Sequence, residues 1–440
     1  IGVGSLLGLP MFMLLPLLLP CIAVGMLGVW RLTAREPGRP VDCDSSWSRR
    51  VARCGPVIIL ALLLVVAGAL FAVGWVFSSR VIVPQPYSLM PEFDIIAVTP
   101  DAGQGVSVTL PVTQEPTQHG DTLVEGVYGL LWDGGYAPLG EVLTQDGSSV
   151  TRALGPVSGS VPTAGAAARI DNFVYRGDPL TDLGLEFEEL SLAGSEGALR
   201  AWYVPGSSGT AVLMLHGRRR GELIETLRML GPLAEAGVPT LALAYRNHDR
   251  SDPSSDGYYH YGADEWQDAI VGARELAARG ADRIVLMGLS MGGAVVLEAL
   301  ERWTADLPEV VGVVLDSPLV DVYDTVEVGA VKAGLPLPKQ LTRLALAVAG
   351  LRTGVDFSQL RQSVSADRIA VPVMVIAGTE DSTVPIGSVD RFTAAVRTPL
   401  TYHRLEGVEH VDAWNHDPER YAGWLRAFIA GLDVRADAGP

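Results

Sequence analysis

The chain has 440 residues, of which 48% are hydrophobic, and a formal net charge of −17. This length exceeds one ordinary hydrophobic core and indicates about two or three structural units. The acidic balance argues against a nucleic-acid partner, because binding to phosphates requires a basic surface.

Two long uncharged stretches open the chain and predict a membrane anchor over residues 1–80. They cover about residues 5–30 and 57–77, and each is long enough for a transmembrane helix. A signal peptide is the alternative for the first stretch, but such a peptide has a basic start and a short apolar region. The chain opens on Ile1 rather than Met, which leaves open whether the natural start and part of the first span lie upstream.

Arginines predict the orientation of this anchor. Six of them lie between the two stretches against three acidic residues, whereas residues 81–151 contain no Lys or Arg. By the positive-inside rule, the connecting loop is cytoplasmic and everything after Phe77 is exported. All three cysteines lie in or between the stretches, so the exported part requires no disulfide. The strong preference for Arg over Lys is typical of a high-GC bacterial genome, and we expect a bacterial plasma-membrane protein whose large part faces outside the cytoplasm.

Residues 81–180 are rich in Gly, Pro, Thr and Val and predict a small β-rich module. Short β-like runs occur at Phe93–Val98, Val106–Leu110 and Gly126–Trp132, and turn signals occur at Asp133–Gly135 and Asp146–Gly147. The module could act in substrate binding or as a spacer that holds the following domain off the membrane.

Residues 181–432 alternate between strand and helix patterns and predict an α/β domain. This alternation indicates a mostly parallel sheet with helices on both faces. The short link 193–197 between the first two strands favours an antiparallel hairpin at one edge. The strand candidates are Glu186–Leu192, Leu199–Val204, Ala211–Leu215, Thr240–Ala244, Arg283–Gly288, Val310–Leu315, Val371–Ala377 and Leu400–Leu405. The helix candidates include Leu223–Ala236, Ala263–Arg279 and Met291–Thr304.

The pentapeptide Gly288-Leu289-Ser290-Met291-Gly292 follows the fifth of these strands and precedes a helix pattern. This setting is that of a nucleophile elbow, a tight turn that lifts one serine hydroxyl clear of the sheet. Ser290 is therefore the candidate nucleophile.

A serine hydroxyl requires a histidine base, which a carboxylate orients. Asp381 follows an apolar strand pattern, and His410 follows the last strand, so the order along the chain is Ser, Asp, His. Three other residues remain alternatives. His416 is the second candidate for the base, whereas Asp316, also at a strand end, and Glu380 compete with Asp381 for the carboxylate.

With these residues, 185–432 resembles the α/β-hydrolase superfamily, in particular its serine esterases and serine aminopeptidase-like members. The run Leu213-Met-Leu-His216-Gly217-Arg218 is similar to the family's strand that ends in His-Gly. The resemblance implies an oxyanion hole formed by the backbone amides of Arg218 and Met291. It also implies that neither a cofactor nor a metal is required.

Several segments leave alternatives open. Residues 318–368 form an insertion in which Val331–Lys339 and Leu341–Leu351 suggest helices, and the resemblance implies a cap over the site. Ordinary packing of a helical excursion is the alternative. The run Arg218–Arg220 could meet an anionic group or lie in a solvated turn. A metal site at His248, Asp249 and His260 is conceivable, but no ligand spacing recurs there and a polar loop is favoured. Residues 433–440 are expected to be a disordered tail.

The sequence thus predicts a membrane-anchored serine hydrolase with the triad Ser290, Asp381 and His410. An apolar cap would suit a small-molecule or lipid-like acyl substrate, an ester or thioester with a hydrocarbon part. A peptidase or acyltransferase on the same scaffold is the alternative, because fold does not determine substrate. A non-catalytic binding protein is a further alternative, and the oligomeric state remains open.

Overall fold

A computed structural model describes residues 46–84, 90–100, 105–113, 121–218, 222–248, 250–361 and 366–437. The predicted first membrane span, about residues 5–30, lies outside the described residues. The chain divides into two compact units. They are Ile1–Val81 with Ala330–Gly354, and Ile82–Gly329 with Val355–Pro440.

The secondary structure of the described residues is as follows. The helices are α1 (Ser46–Ile82), α2 (Pro179–Leu183), α3 (Glu222–Glu235), α4 (Trp266–Ala278), α5 (Met291–Glu301), α6 (Val322–Lys332), α7 (Pro338–Thr353), α8 (Ile386–Ala395), α9 (Ala413–His416) and α10 (Pro418–Asp437), with short 3₁₀ turns at Phe357–Gln359 and Ala366–Arg368. The strands are β1 (Phe93–Asp94), β2 (Ala97–Pro100), β3 (Val106–Pro111), β4 (Tyr128–Trp132), β5 (Gly135–Asp146), β6 (Ser149–Leu154), β7 (Ser158–Gly159), β8 (Ala167–Asp171), β9 (Glu188–Ala193), β10 (Ala198–Val204), β11 (Thr210–Leu215), β12 (Thr240–Leu243), β13 (Arg283–Leu289), β14 (Glu309–Asp316), β15 (Val373–Gly378) and β16 (Leu400–Leu405).

Helix α1 dominates the first unit. Its stretch Val57–Ile82 is, among the described residues, the one helix long and apolar enough to cross a membrane, and it contains the predicted span 57–77. Most of the apolar side chains along it are exposed; for example, Leu64 is 65% exposed, whereas Val81 and Ile82 at its end are buried. A protein core therefore does not cover most of this helix, and exposed apolar surface of this extent favours an apolar environment.

The insertion between β14 and β15 contains α6 and α7, in agreement with the predicted helical character of this segment. The prediction of one helix across Val331–Lys339 is wrong, because α6 ends at Lys332 and α7 begins at Pro338. Gly334 has a φ of +64°, a left-handed conformation that a helix cannot continue through.

The second unit begins with an antiparallel sheet in the order β1-β8-β4-β5-β6-β3-β2, with β7 paired to β5. The predicted turns lie between paired strands: Trp132 pairs with Gly135, and Asp146 pairs with Ser149. Alternate side chains of these strands form a separate hydrophobic core that includes Val108, Leu130 and Ile170.

The predicted strand Phe93–Val98 is broken into β1 and β2. Ile95 donates its amide hydrogen bond to Ala166, next to β8, and Ile96 donates to Thr109 in β3. The two ends of the strand order are therefore consecutive in the chain, and the sheet closes on itself through residues 95 and 96.

The second sheet has eight strands in the order β16-β15-β14-β13-β11-β12-β10-β9. The pairs β9–β10 and β10–β12 are antiparallel and the others are parallel, which confirms the predicted mostly parallel sheet with an antiparallel hairpin at one edge. Its interior strands are buried throughout, as expected for a sheet covered on both faces.

Helices cover both faces of this sheet. Residues of α3 and α10 share one core cluster with Val212 and Met214 of β11. The intervening Leu213 points to the opposite face, where it lies close to Gly272 of α4. Helix α10 continues to Asp437, so the predicted disordered tail 433–440 is helical over 433–437, and residues 438–440 lie outside the described residues.

Candidate active site

Ser290 occupies the sharp turn between β13 and α5. Its backbone has φ of +50° and ψ of −116°, a combination that is rare for a residue with a side chain. Its amide donates to the carbonyl of Asp316 at 2.9 Å, and its carbonyl accepts from the amide of Leu319 at 2.9 Å. The predicted elbow is thus held from the neighbouring strand end, which offsets the cost of the strained backbone.

Two glycines allow this turn. A Cβ at Gly288 would lie 2.5 Å from the carbonyl oxygen of Gly292, and a Cβ at Gly292 would collide with the carbonyl oxygen of Leu215. Both separations are far below van der Waals contact, so a side chain at either position would force β13, α5 and β11 apart.

The structure brings Ser290, His410 and Asp381 into one chain of hydrogen bonds. The Ser290 Oγ lies 2.8 Å from His410 Nε2, and His410 Nδ1 lies 2.7 Å from Asp381 Oδ2. Because an ionised carboxylate only accepts, Nδ1 carries the ring proton and Nε2 accepts from the hydroxyl. The side chains of His410 and Asp381 are 11% and 2% exposed, so this chain of bonds is nearly shielded from water.

Asp381 is fixed by backbone amides on its second oxygen. Its Oδ1 accepts from the amides of Thr383 at 2.9 Å and Val384 at 2.7 Å. With one oxygen committed to these amides, the other is directed at His410.

Glu409 connects the loops that carry Asp381 and His410. Its Oε2 accepts from the amide of Ser382 at 3.1 Å and from the amide of His410 at 3.0 Å. Glu409 was not predicted from the sequence as part of the site. Its position beside His410 was the available signal, but the side-chain direction that makes it a bridge is not visible in the sequence.

The three alternative residues lie elsewhere. Asp316 is buried, and its Oδ2 accepts from the hydroxyl of Tyr421 at 2.9 Å. Burial raises the pKa of Asp316 to about 6, because a charged carboxylate is costly in a dry interior. Glu380 is exposed at the turn after β15, and His416 is exposed at the end of α9. Ser290 therefore meets His410, and His410 meets Asp381, at the positions that the sequence favoured.

The predicted oxyanion residue Met291 directly follows Ser290, and the residue before Arg218 lies against Ser290. Met291 is the first residue of α5, and the first N–H groups of a helix have no acceptor within it. Arg218 follows Gly217, where a Cβ would lie 3.3 Å from the Cβ of Ser290. The backbone before Arg218 therefore lies against the serine.

The loop after β11 is held by buried polar side chains that were not predicted from the sequence. The Glu225 carboxylate accepts from the Gly217 amide at 2.6 Å. The Tyr245 hydroxyl lies 3.0 Å from the carbonyl oxygen of His216 and 3.2 Å from that of Gly217. These contacts hold the N–H and C=O groups of the His216–Gly217 peptide and the C=O group of the next peptide, whose N–H belongs to Arg218.

Arg228 holds the loop that follows His410. This buried guanidinium donates to the carbonyl of Val411 at 3.0 Å and to Oδ1 of Asn415. It also lies 3.9 Å from Glu225. The buried pair Arg228 and Glu225 therefore links the loop after β11 to the loop that follows His410.

The β-rich module contacts this same loop. The Asp412 carboxylate accepts hydrogen bonds from the side-chain amide of Asn172 at 2.8 Å and from the hydroxyl of Tyr128 at 3.2 Å. The Asn415 side chain donates to the carbonyl oxygens of Val127 at 2.7 Å and Asn172 at 2.8 Å. Buried hydrogen bonds thus join the module to the segment that begins two residues after His410.

The conceivable metal site is not supported in the part that the structure describes. His248 is buried, and its ring stacks on Tyr259. His260 lies between Asp256 at 2.9 Å and Asp264 at 2.5 Å. Among the described residues, no three such side chains are placed so that they could hold one metal ion. Asp249 lies outside these residues, as do Arg219 and Arg220 of the arginine run. The Arg218 guanidinium lies over the rings of Tyr259 and Tyr261.

This geometry supports a definite chemistry. A neutral imidazole in contact with a hydroxyl can take its proton, and a carboxylate behind the ring stabilises the resulting imidazolium. N–H groups beside the hydroxyl can bind the oxygen on which negative charge develops.

A model of the alpha/beta hydrolase family matches residues 212–424, which include Ser290, Asp381 and His410. The chain belongs to the α/β-hydrolase family. A second family model, described as a domain of unknown function, matches residues 94–171 of the β-rich module. The predicted α/β-hydrolase fold is confirmed, and the chain is a hydrolase by family.

Relatives of this hydrolase include the uncharacterised protein YfhR of Escherichia coli K12, which is 24% identical over 56% of this chain and 79% of that protein. An uncharacterised protein of Mycobacterium tuberculosis is 31% identical over 54% of this chain and 76% of that protein. Among solved structures, an esterase of Pyrococcus furiosus is similar, with a TM-score of 0.47 and 23% identity, over 58% of this chain and 95% of that one.

Proposed function

We propose that this hydrolase cleaves acyl esters or thioesters through Ser290, His410 and Asp381. The observation that carries the proposal is the chain of hydrogen bonds from Ser290 Oγ to His410 Nε2 and from Nδ1 to Asp381, at 2.8 and 2.7 Å. Such a chain activates a hydroxyl that is otherwise a weak nucleophile.

The reaction proceeds in two steps. His410 takes the proton of Ser290 as the oxygen attacks the acyl carbonyl, while Asp381 stabilises the imidazolium. The amides of Arg218 and Met291 bind the oxyanion, each with a contribution of about 3 to 4 kcal/mol. His410 then gives its proton to the leaving group, and water cleaves the acyl-enzyme by the reverse route. The low exposure of the His410 and Asp381 side chains, 11% and 2%, supports this role, because charge interactions strengthen where water is largely excluded.

A fluorophosphonate probe tests the proposal. The full chain in detergent micelles should be labelled, with the adduct on the peptide that contains Ser290, and Ser290→Ala should abolish labelling. Ser107→Ala, in the β-rich module, is the matched control and should label normally. Labelling that survives Ser290→Ala would contradict the assignment, and a lack of labelling of the wild type would favour a non-catalytic protein.

The leaving group is tested separately. Hydrolysis of short acyl esters and thioesters, without hydrolysis of aminoacyl amides, is the expected result. The opposite preference would assign the chain to peptidases, and transfer of the acyl group to an added alcohol in preference to water would assign it to acyltransferases.

We further propose that α1 anchors the chain in a bacterial plasma membrane, with the catalytic domain outside the cytoplasm. The exposed apolar stretch Val57–Ile82 supports the anchor, and the arginines before it support the orientation. In this proposal residues 1–80 are the anchor, 81–180 the β-rich module and 181–432 the catalytic domain. Resistance of the chain to alkaline extraction from membranes, and its digestion by protease added to spheroplasts, are the expected results.

A further inference from the structure

The segment Ala330–Gly354, here called the basic segment, differs in charge from the rest of the chain. It has four basic residues and no acidic one, in a chain whose formal net charge is −17. Both lysines of the chain are among the four. The basic residues are Lys332, Lys339, Arg343 and Arg352.

Helix α7 of the basic segment has two different faces. Lys339, Arg343 and Leu351 are exposed, and their spacings of four and eight residues align them on one side of the helix. Ala345 and Val348 on another side are buried. The exposed side is both cationic and apolar, since Leu351 is 79% exposed at its end.

Two further apolar side chains of the basic segment are exposed. Val331 at the end of α6 is 58% exposed, and Leu337 before α7 is 66% exposed. Large apolar side chains together with cations are the pattern of elements that lie in the membrane interface, where the cations meet headgroups and the apolar groups enter the acyl region.

Helix α7 packs against α1 within the same compact unit. Arg352 donates to the hydroxyls of Ser78 at 2.8 Å and Ser79 at 2.7 Å, and its guanidinium lies 4.1 Å from the centre of the Trp75 ring. A Cβ at Gly74 would lie 2.6 Å from Val348, so this glycine allows the helices to approach closely.

This contact between α7 and α1 lies near one end of the apolar stretch of α1. Residues 74–79 lie near the end of the apolar stretch Val57–Ile82, just before Arg80. Trp is enriched at the level of the lipid headgroups, where its ring meets the boundary between apolar and polar regions. The contact therefore ties α7 to α1 near the end of the membrane span proposed for α1.

We infer that the basic segment is a membrane-interface element that binds the headgroups of anionic phospholipids, with Leu337 and Leu351 in the outer acyl region. The inference rests on the proposed membrane anchoring by α1. The charge complementarity of the segment and its continuity with the membrane helix favour lipid as the partner.

Fluorescence of the full chain in lipid nanodiscs tests the inference. The three cysteines are changed to Ser, and an environment-sensitive fluorophore is attached to Leu351→Cys. In discs that contain phosphatidylglycerol, the probe should be quenched by doxyl-labelled lipids, and quenching should weaken in discs of phosphatidylcholine alone. Leu63→Cys is the positive control for insertion of α1, and Val161→Cys, exposed in the β-rich module, is the aqueous control.

Charge reversal supplies the matched comparison. Lys339→Glu combined with Arg343→Glu should reduce about fivefold the part of the Leu351 quenching that requires anionic lipid. The reason is that the reversed charges are repelled by the lipid surface instead of attracted to it. Arg274→Glu with Arg397→Glu, two exposed arginines elsewhere, changes the net charge equally and should leave the quenching unchanged.

Three results would overturn the inference. The first is a Leu351 probe as exposed to water as the Val161 probe, and the second is quenching that the Lys339 and Arg343 reversals do not change. The third is shielding of the Leu351 probe in lipid-free micelles that rises with protein concentration, which indicates a second copy of the chain as the partner. If the Leu63 probe is quenched while Leu351 is aqueous, the inference fails and the anchor stands. Hydrolysis of a soluble short-chain ester by the same samples tests the catalytic proposal separately from the inference about the basic segment. If hydrolysis is absent while the Leu351 probe is quenched, only the catalytic proposal is contradicted.

Discussion

The side-chain amide of Asn172, at the end of the β-rich module, donates a 2.8 Å hydrogen bond to Asp412, two residues after His410. Burial raises the pKa of Asp412, and the bond from Asn172 opposes that shift by stabilising the charged form. The module is therefore more than a spacer, because it supports the loop that follows His410.

Removal of this donor should weaken both the fold and the reaction. Asn172→Ala leaves a buried carboxylate with one donor fewer, and we expect a loss of about 1 to 3 kcal/mol in the free energy of unfolding. We also expect kcat for ester hydrolysis to fall with little change in KM, because His410 is less well placed. Urea unfolding followed by tryptophan fluorescence, together with ester kinetics, measures both effects.

Thr122→Ala is the control for Asn172→Ala. Thr122 is buried in the same module and donates to the carbonyl of Pro111 at 2.8 Å, away from Asp412. It should destabilise the module without a change in kcat well below the melting temperature. Equal loss of kcat in both variants would show that the module matters only for stability.

Asp381→Asn should impair catalysis through the wrong tautomer of His410. Because Oδ1 already accepts two backbone amides, the new NH₂ group must face Nδ1 of His410. Nδ1 would then accept, Nε2 would carry the proton, and the ring could no longer take the proton of Ser290. We expect kcat to fall about 10⁴-fold with the fold intact.

The neighbouring carboxylate supplies the comparison for Asp381. Glu380→Gln changes an exposed side chain and should leave kcat and the circular dichroism spectrum of the wild type unchanged. If Glu380→Gln were as damaging as Asp381→Asn, the assignment of the acid would be wrong.

The sequence was sufficient for the parts of the fold that depend on local patterns. Strand β13, its glycines and the helix after it identified Ser290, and the strand ends before Asp381 and His410 identified the two partners. A parallel sheet brings the carboxyl ends of its strands to one edge, so residues at those ends can be expected to meet. This is why three residues separated by as many as 120 positions could be predicted together.

The missed features depend on distant pairing or on a single side-chain direction. Asn172 and Asp412 are 240 residues apart, and no local pattern links a closed antiparallel sheet to a loop of the catalytic domain. The break between β1 and β2 was missed because Ile95 and Ile96 continue an apolar run, although Ile95 is 1% and Ile96 50% exposed. Their amides pair with different strands, which only the closure of the sheet determines.

Glu409 offers a test of loop positioning. Glu409→Ala removes the acceptor shared by the Ser382 and His410 amides, and we expect kcat to fall about tenfold with KM unchanged. Glu409→Gln keeps an oxygen at that position and should restore most of the rate. If Gln were no better than Ala, a general effect of charge would explain the loss, and the bridging role would be excluded.

Asp316 should make the stability of the protein depend on pH. Its folded-state pKa of about 6 lies above the value near 3.9 of an unfolded carboxyl group, so the unfolded state binds fewer protons between about pH 4 and 6. The stabilising contribution of the protonated form is therefore complete below about pH 4 and is lost as the pH rises through about 6.

Asp316→Asn keeps an oxygen for the Tyr421 hydroxyl but does not ionise. Between these limits the wild type should lose about 2 to 3 kcal/mol more than this variant in urea unfolding. Asp133→Asn, in an exposed turn that accepts either residue, should follow the wild type; parallel curves for Asp316→Asn and the wild type would contradict the raised pKa.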